Sequence, residues 1–178
     1  TNLANYQTEF IKWKKSQGFE VYVAYKSDIG NTVNDFKQVI QNHYNQDHCD
    51  HLLLLGDVTN QGTYSIPTAF FPSPEYQEND ADDNQYTFIE GNDYFPEMLV
   101  GRFSFNDIAE FMSMVNKSVS YEKTPYMSNT SWMTRGLAVA GNYAEGGLRP
   151  TTPIEMSRWL RDKMLNFGQL VLHIWGHQ

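Results

Sequence analysis

Residues 83–107 read Asp83-Asn-Gln-Tyr-Thr-Phe-Ile-Glu-Gly-Asn-Asp-Tyr-Phe-Pro-Glu-Met-Leu-Val-Gly-Arg-Phe-Ser-Phe-Asn-Asp107, and their order decides the fold. Gly91, Asn92 and Asp93 form a turn, because glycine tolerates positive φ and short polar side chains bond to their own backbone. Pro96 precedes the apolar Met98, Leu99 and Val100, a strand that Gly101-Arg102 closes. Asn106 or Asp107 then caps a helix, since a short side-chain oxygen satisfies amides left free in the first helical turn.

Outward from this block, the chain alternates helix and strand. Leu3, Tyr6, Phe10 and Trp13 recur at spacings of three and four along one side of a helix that Gly18 ends. Residues 19–25 alternate and are rich in β-branched and aromatic types, which predicts a strand; Ser27-Asp28-Ile29-Gly30-Asn31 turns into a second helix carrying Val33, Phe36, Val39, Ile40 and Tyr44. Residues 52–55 are four leucines between polar residues and a glycine, the pattern of a central strand covered on both faces. Residues 58–85 are polar, with three prolines and a run of acids, and exceed the usual length of a connection. After the organising block come a helix over 108–121, a linker over 124–129, a strand over 137–140, a helix over 154–165 and a strand over 170–175. The expected fold is therefore α/β, a largely parallel sheet with helices on both faces. Residues 1–126 form a first α/β subdomain, and residues 130–178 begin a second.

The 178 residues suffice to bury roughly 70% of the surface that the unfolded chain exposes, so no disulfide is needed. A net charge of -8 argues against nucleic acid or an anionic membrane surface as partner. No apolar run approaches the roughly 20 residues that span a bilayer. The chain begins at Thr1 without a methionine or a signal peptide, which predicts a processed or excised piece.

Several pieces taken together resemble the gingipain-type cysteine peptidases. They are Asp83, the Gly91-Asn92-Asp93-Tyr94 turn, Pro96-Glu97 and Val100-Gly101-Arg102-Phe103-Ser104 in the organising block. Upstream lie Trp13-Lys14, Gly18-Phe19-Glu20-Val21, Ile29-Gly30-Asn31-Thr32 and the leucine strand ending in Gly56-Asp57. Downstream lie Lys117, Tyr121-Glu122, Trp132 and Ala144-Glu145-Gly146-Gly147. The resemblance implies a cysteine endopeptidase acting on protein or peptide substrates, secreted or at the cell surface. It also implies a caspase-like second subdomain, cut short here, with the rest of the catalytic domain downstream.

By the same resemblance, Glu145 orients the catalytic histidine, as the third member of a nucleophile and base constellation. From the residues alone it is an acid emerging among small residues just after a short apolar strand. His177 follows Gly176 at the end of an apolar strand, as the catalytic base does in the family, and an imidazole suits proton transfer near neutral pH. The family continues with a glycine where this chain has Gln178 and interposes a further strand and helix. An alternative alignment therefore makes 170–175 the earlier strand and puts the base outside the chain. The nucleophile is expected outside the chain in either case. Cys49, the one cysteine, precedes the leucine strand at its amino end, the wrong edge for a site, and reads as a small apolar residue. A non-catalytic binding or accessory domain on the same scaffold is the competing reading.

No cofactor is required, and calcium is the one metal to weigh. Asp80, Asp82, Asp83, Glu90 and Asp93 make an oxygen-rich loop without EF-hand spacing, and the resemblance implies a structural calcium there, with Asp80, Asp82, Asp83 and Asp93 as donors. Asp47-His48-Cys49-Asp50-His51 offers zinc-type ligands, but adjacent residues cannot all face one ion, so a polar loop is expected. Arg102 is expected to pair with an acid at the sheet edge. Gly56-Asp57 and Gly141-Asn142 lack the spaced glycines of a phosphate loop. Arginine-cleaving relatives carry an acid in the helix after the glutamate loop, where this chain has Met156 beside Glu155, so cleavage after basic residues is not implied.

Overall fold

The computed structural model describes residues 3–58, 62–73, 78–141 and 153–175, and within them the chain forms two compact units, Thr1–Lys123 and Thr124–Gln178. In the first unit, strands β1 (His51–Leu55) and β4 (Leu99–Phe103) pair in parallel, with His51 opposite Leu99 and Leu55 opposite Phe103. Side chains alternate across a strand, so each strand feeds two cores. Leu52, Leu54 and Val100 pack with Phe36 and Ile40 of helix α3 (Val33–Asp47), and with Tyr86 and Met98. Leu55 and Phe103 face the other way, toward Phe10 of α1 (Leu3–Ser16) and toward Phe111 and Val115 of α4 (Ile108–Lys123). Helices thus cover both faces of the parallel pair.

Two helices of the first unit, α3 and α4, start at capped residues, the second at the expected Asp107. Thr32 and Asp35 form a reciprocal capping box, the Asp35 N–H reaching the Thr32 hydroxyl at 3.1 Å and the Thr32 N–H reaching the Asp35 carboxylate at 2.9 Å. At α4, Asp107 accepts from the Glu110 N–H while Glu110 accepts from the Asn106 N–H. Helices α1 and α4 are clamped by Glu122, whose two oxygens accept from Trp13 Nε1 at 2.6 Å and Lys14 Nζ at 2.7 Å.

Arg102 joins the strands to the loops beyond them. Its Nε and Nη2 hold both oxygens of Asp83 at 2.7 Å. Its remaining protons go to the carbonyls of Gly56, Ile66 and Pro67 at 2.9, 3.1 and 3.2 Å. The pairing with an acid is as expected, and Asp83 is that acid. Gly56, at φ 146°, has its own place in this arrangement: a Cβ there would collide with the carbonyl oxygen of Tyr64.

Two segments differ from expectation. Residues 19–25 run alongside β1 without ladder hydrogen bonds and are not a strand; a short helix, α2 (Lys26–Ile29), follows them. The alternating pattern gives the segment its extended course, but no neighbour completes its pairing. Conversely, the polar stretch expected as a loop contains an antiparallel pair, β2 (Ala69–Ser73) with β3 (Glu78–Asp82). Its one proline, Pro72, misleads because the pair has only two strands, so a residue without a donor can sit where no further ladder forms.

In the second unit, β5 (Arg135–Ala140) and β6 (Leu170–Trp175) are parallel and in register, with α5 (Pro153–Asn166) packed on both. The end of the Met164 side chain lies over Gly136, so a larger residue there would have to displace it. The other sheet face carries Leu137, Val139, Leu170, Leu172 and Ile174, all exposed.

Replacing Arg102 by methionine is expected to destabilise the chain by about 3–5 kcal/mol, because Asp83 and three carbonyls lose their partner at once. Urea unfolding measures this, and a loss below about 1 kcal/mol would remove the ion pair from its assigned role. Burial raises the Asp83 pKa, but hydrogen bonds from Arg102 and Thr68 and the charge of Arg102 outweigh it, leaving the carboxyl below its ordinary value. The stabilisation is therefore complete above the unfolded pKa of about 3.9 and is lost as pH falls through the lower folded value. An acid titration of stability should show this loss below about pH 4 and lose that component in Asp83→Asn.

Candidate active-site edge

In parallel α/β sheets, sites collect where strands end at their carboxyl edges. The described residues form two such edges. In the first unit, β1 runs into Gly56-Asp57 and β4 into Ser104. There the Ser104 hydroxyl donates to Asp57 Oδ1 at 2.6 Å, and the Val58 N–H reaches the same oxygen at 2.9 Å. A bound phosphate would need free amides here. The Gly56 N–H is bonded to Phe103 O at 2.9 Å, and the Asp57 N–H to Tyr64 O at 3.0 Å. Gly56-Asp57 is thus a junction between strand and loop, without the donors of a phosphate cradle.

In the second unit, the register sets Ala140 opposite Trp175, so β5 and β6 end side by side at one edge. Glu145 follows β5 by five residues and His177 follows β6 by two. Both lie outside the described residues, as do Gly146 and Gly147. What the described backbone supplies is the shared edge from which both segments leave. Met156 and Glu155 occupy the first turn of α5, with Met156 exposed.

The remaining candidates have clear surroundings. Cys49 is half-buried against the Phe36 core, just before β1. Burial first, then the charges of Asp47, Asp50 and Glu20, push its thiol pKa up, the opposite of what activates a cysteine nucleophile. In the Asp47–His51 stretch, Asp47 meets His43 Nδ1 and Asp50 meets His51 Nδ1, each at 2.6 Å. These are separate pairs, and no group of three or more metal-type side chains occurs among the described residues.

The calcium candidates are likewise dispersed. Asp83 is held by Arg102 and by the Thr68 hydroxyl at 2.8 Å, and Asp82 accepts from the Asn84 N–H and from Gln85 Nε2. Asp93 accepts from the Phe95 N–H, while Asp80 is exposed on β3. Glu90 accepts from the Tyr44 hydroxyl at 2.9 Å, which raises the Tyr44 pKa. Residues missed from the sequence include Glu97, whose carboxylate gathers the Ile89 N–H at 2.7 Å and the Glu90 N–H at 3.3 Å. Tyr86 was missed too. It is fully buried, donates to Pro67 O at 2.6 Å, and is pushed by burial to a pKa of about 12. The Pro96-Glu97 motif was the available signal for the first; for Tyr86 there was only its place three residues after Asp83.

These units define an α/β protein whose short parallel strands are layered by helices and deliver their loops to carboxyl edges. Peptidase family C25 matches residues 1–169, and the chain belongs to that family. Among curated proteins it is similar to gingipain R2 of Porphyromonas gingivalis, 27% identical over 143 residues, which is 78% of this chain and 18% of that protein. It is also similar to Lys-gingipain of the same organism, 27% identical over 139 residues, which is 74% of this chain and 7% of that protein. The chain spans less than a fifth of the length of either relative. Among solved structures, the complex of Porphyromonas gingivalis RgpB pro- and mature domains superposes with a TM-score of 0.74 at 22% identity, over 95% of this chain and 38% of that one. The Arg-specific cysteine proteinase gingipain R gives a TM-score of 0.73 at the same identity and coverage, and both establish the shared α/β fold.

Alkylation of Cys49 by iodoacetamide at pH 7.5 is expected to run slower than that of free cysteine, because its thiolate fraction is reduced. A faster reaction would make it an activated thiol. Chelation by EGTA is expected to shift the melting temperature by less than about 2 °C, since the acids Asp82, Asp83 and Asp93 already have protein partners. A fall of several degrees would assign calcium to this loop.

Proposed function

We propose that this chain forms part of the catalytic portion of a cysteine endopeptidase that hydrolyses protein or peptide substrates outside the cell or at its surface. The match to Peptidase family C25 over residues 1–169 carries this reading. The shared carboxyl edge of β5 and β6 supports it, because the segments bearing Glu145 and His177 both leave from there. In this reading the Glu145 carboxylate accepts a hydrogen bond from an imidazole, fixing its tautomer and orientation. The imidazole takes the proton of a thiol, and the resulting thiolate attacks the scissile carbonyl carbon. Backbone amides stabilise the oxyanion. His177 supplies the imidazole in one alignment, and a histidine outside residues 1–178 supplies it in the other. The thiolate comes from outside these residues in both, since Cys49 is half-buried with a raised pKa. Among the described residues no helix is long and apolar enough to cross a membrane.

Three measurements test this. The purified 178-residue chain is expected to show no thiol-dependent peptide cleavage; cleavage would place a working nucleophile within it. In the whole natural polypeptide, Glu145→Gln is expected to lower kcat by on the order of 10²–10⁴ with little change in KM, whereas Cys49→Ser leaves both unchanged. His177→Ala separates the alignments, since unaltered turnover moves the base elsewhere. Peptide binding without any cleavage by the whole polypeptide would transfer the reading to a non-catalytic domain on the same scaffold.

A further inference from the structure

The β2–β3 hairpin leaves the body of the first unit abruptly. At its base Thr68 is buried and its hydroxyl donates to Asp83 at 2.8 Å, while Arg102 holds the carbonyls of Ile66 and Pro67 and both oxygens of Asp83. A little further along, Phe70 is 55% exposed and Phe71 47%. The two strands pair with each other and with no third strand among the described residues. A two-stranded ribbon is marginal in water by itself, and an aromatic side chain on each of its faces adds to the apolar surface that water must wet.

The register sorts these side chains. Phe71 stands opposite Asp80 and Ala69 opposite Asp82, so these four share one face, while Phe70 and Ala81 stand opposite each other on the other. Cross-strand partners in an antiparallel pair have their Cβ atoms about 4.5–5.5 Å apart, which sets the Phe71 ring and the Asp80 carboxylate side by side. Asp82 is engaged with the Asn84 N–H and with Gln85 Nε2. Asp80 is exposed, and none of the ion pairs among the described residues includes it.

The stretch of chain that carries the hairpin has one sign of charge. Residues 38–101 contain eleven aspartates and glutamates and no lysine or arginine, so the net charge of -8 combines a strongly acidic middle with flanks that are basic overall. Arg102 ends that stretch, but its donors are committed at the hairpin base. A field of one sign draws ligands of the other, which favours a cation here over nucleic acid or anionic lipid. A phenyl ring beside a free carboxylate suits a cation on an apolar stem: the ring attracts the charge and covers the methylenes, and the carboxylate accepts the hydrogen bonds.

We propose that the β2–β3 hairpin is a docking arm for an extended cationic segment of another polypeptide, which lies along the ribbon and sets a lysine or arginine between the Phe71 ring and the Asp80 carboxylate. Such a segment supplies the cover that a two-stranded ribbon lacks. The anchorage through Arg102 and Thr68 fixes the base of the arm before a partner arrives, which lowers the ordering cost of binding. The arm uses none of the groups assigned to peptide cleavage, so its occupancy is independent of Glu145, His177 and any thiol.

Fluorescence polarisation on the 178-residue chain tests this, with a fluorescein-labelled dodecapeptide of alternating lysine and threonine as probe and its glutamate counterpart as control. The lysine peptide is expected to bind and the glutamate peptide to stay free. Phe71→Ser is expected to weaken binding about fivefold and Asp80→Asn about threefold, while Phe71→Tyr, which keeps the ring, retains the affinity. Glu9→Gln removes the same charge from an exposed site on α1 and is expected to change the affinity by less than about 1.5-fold. Circular dichroism of each variant should match that of the parent chain. No binding of the lysine peptide at about 1 mM protein would overturn the proposal. So would equal weakening by Asp80→Asn and Glu9→Gln, which would reduce the attraction to net charge alone.

Discussion

A single guanidinium holds the first unit to its plan. Arg102 is the fourth residue of β4, yet its five hydrogen bonds go to the ends of other segments: Asp83 at the start of residues 83–107, Gly56 after β1, and Ile66 and Pro67 beyond it. Each of those carbonyls ends a piece of chain that has left regular structure and has no helix or sheet partner of its own. A planar fork with fixed donor directions can serve several such groups at once, which an ammonium cannot. Asp83 neutralises the buried cation and is itself fixed by Thr68, and the adjacent Tyr86 uses its hydroxyl on Pro67. The loops that follow β1 and precede β4 are placed by this junction, and Glu97 then ties down the turn between Ile89 and β4.

Much of this was legible in the sequence because its periodicity is strong. The four leucines of residues 52–55 and the helical spacing of Phe36, Ile40, Phe111 and Val115 report burial directly. Asp107 announces a helix start by chemistry that needs no tertiary context. The fate of residues 19–25 was not legible, because alternation specifies an extended chain and its faces but not whether a neighbour's edge meets it. Residues 69–82 failed the opposite way, since β3, Glu78–Asp82, pairs with β2 although its own residues have low strand propensity. That Asp83 meets Arg102 was not legible either, because an acid's partner depends on which distant cation the fold delivers.

The motifs that carry the family resemblance are, where the structure describes them, mostly fasteners. Trp13 and Lys14 meet Glu122 across about a hundred residues of chain. Gly30, Asn31 and Thr32 wrap the Asp35 carboxylate, and Ser104 meets Asp57. Each of these positions is fixed by geometry that a substitution would disturb. In the function proposed above, chemistry belongs to a different class of position, on segments that leave the ends of β5 and β6. There the scaffold's contribution is to bring two loop origins together, and loops supply the reactive groups.

The bare face of β5 and β6 has a practical consequence. Five large aliphatic side chains, Leu137, Val139, Leu170, Leu172 and Ile174, stand together on a surface whose opposite side is already occupied by α5. Water wets such a patch poorly, and two molecules that meet there each lose unfavourable hydration. Samples of these 178 residues would therefore become less soluble as temperature rises or as sulfate is added, and more soluble with mild detergent. The net charge of -8 offsets this tendency only at low ionic strength, where molecules still repel one another across the solvent.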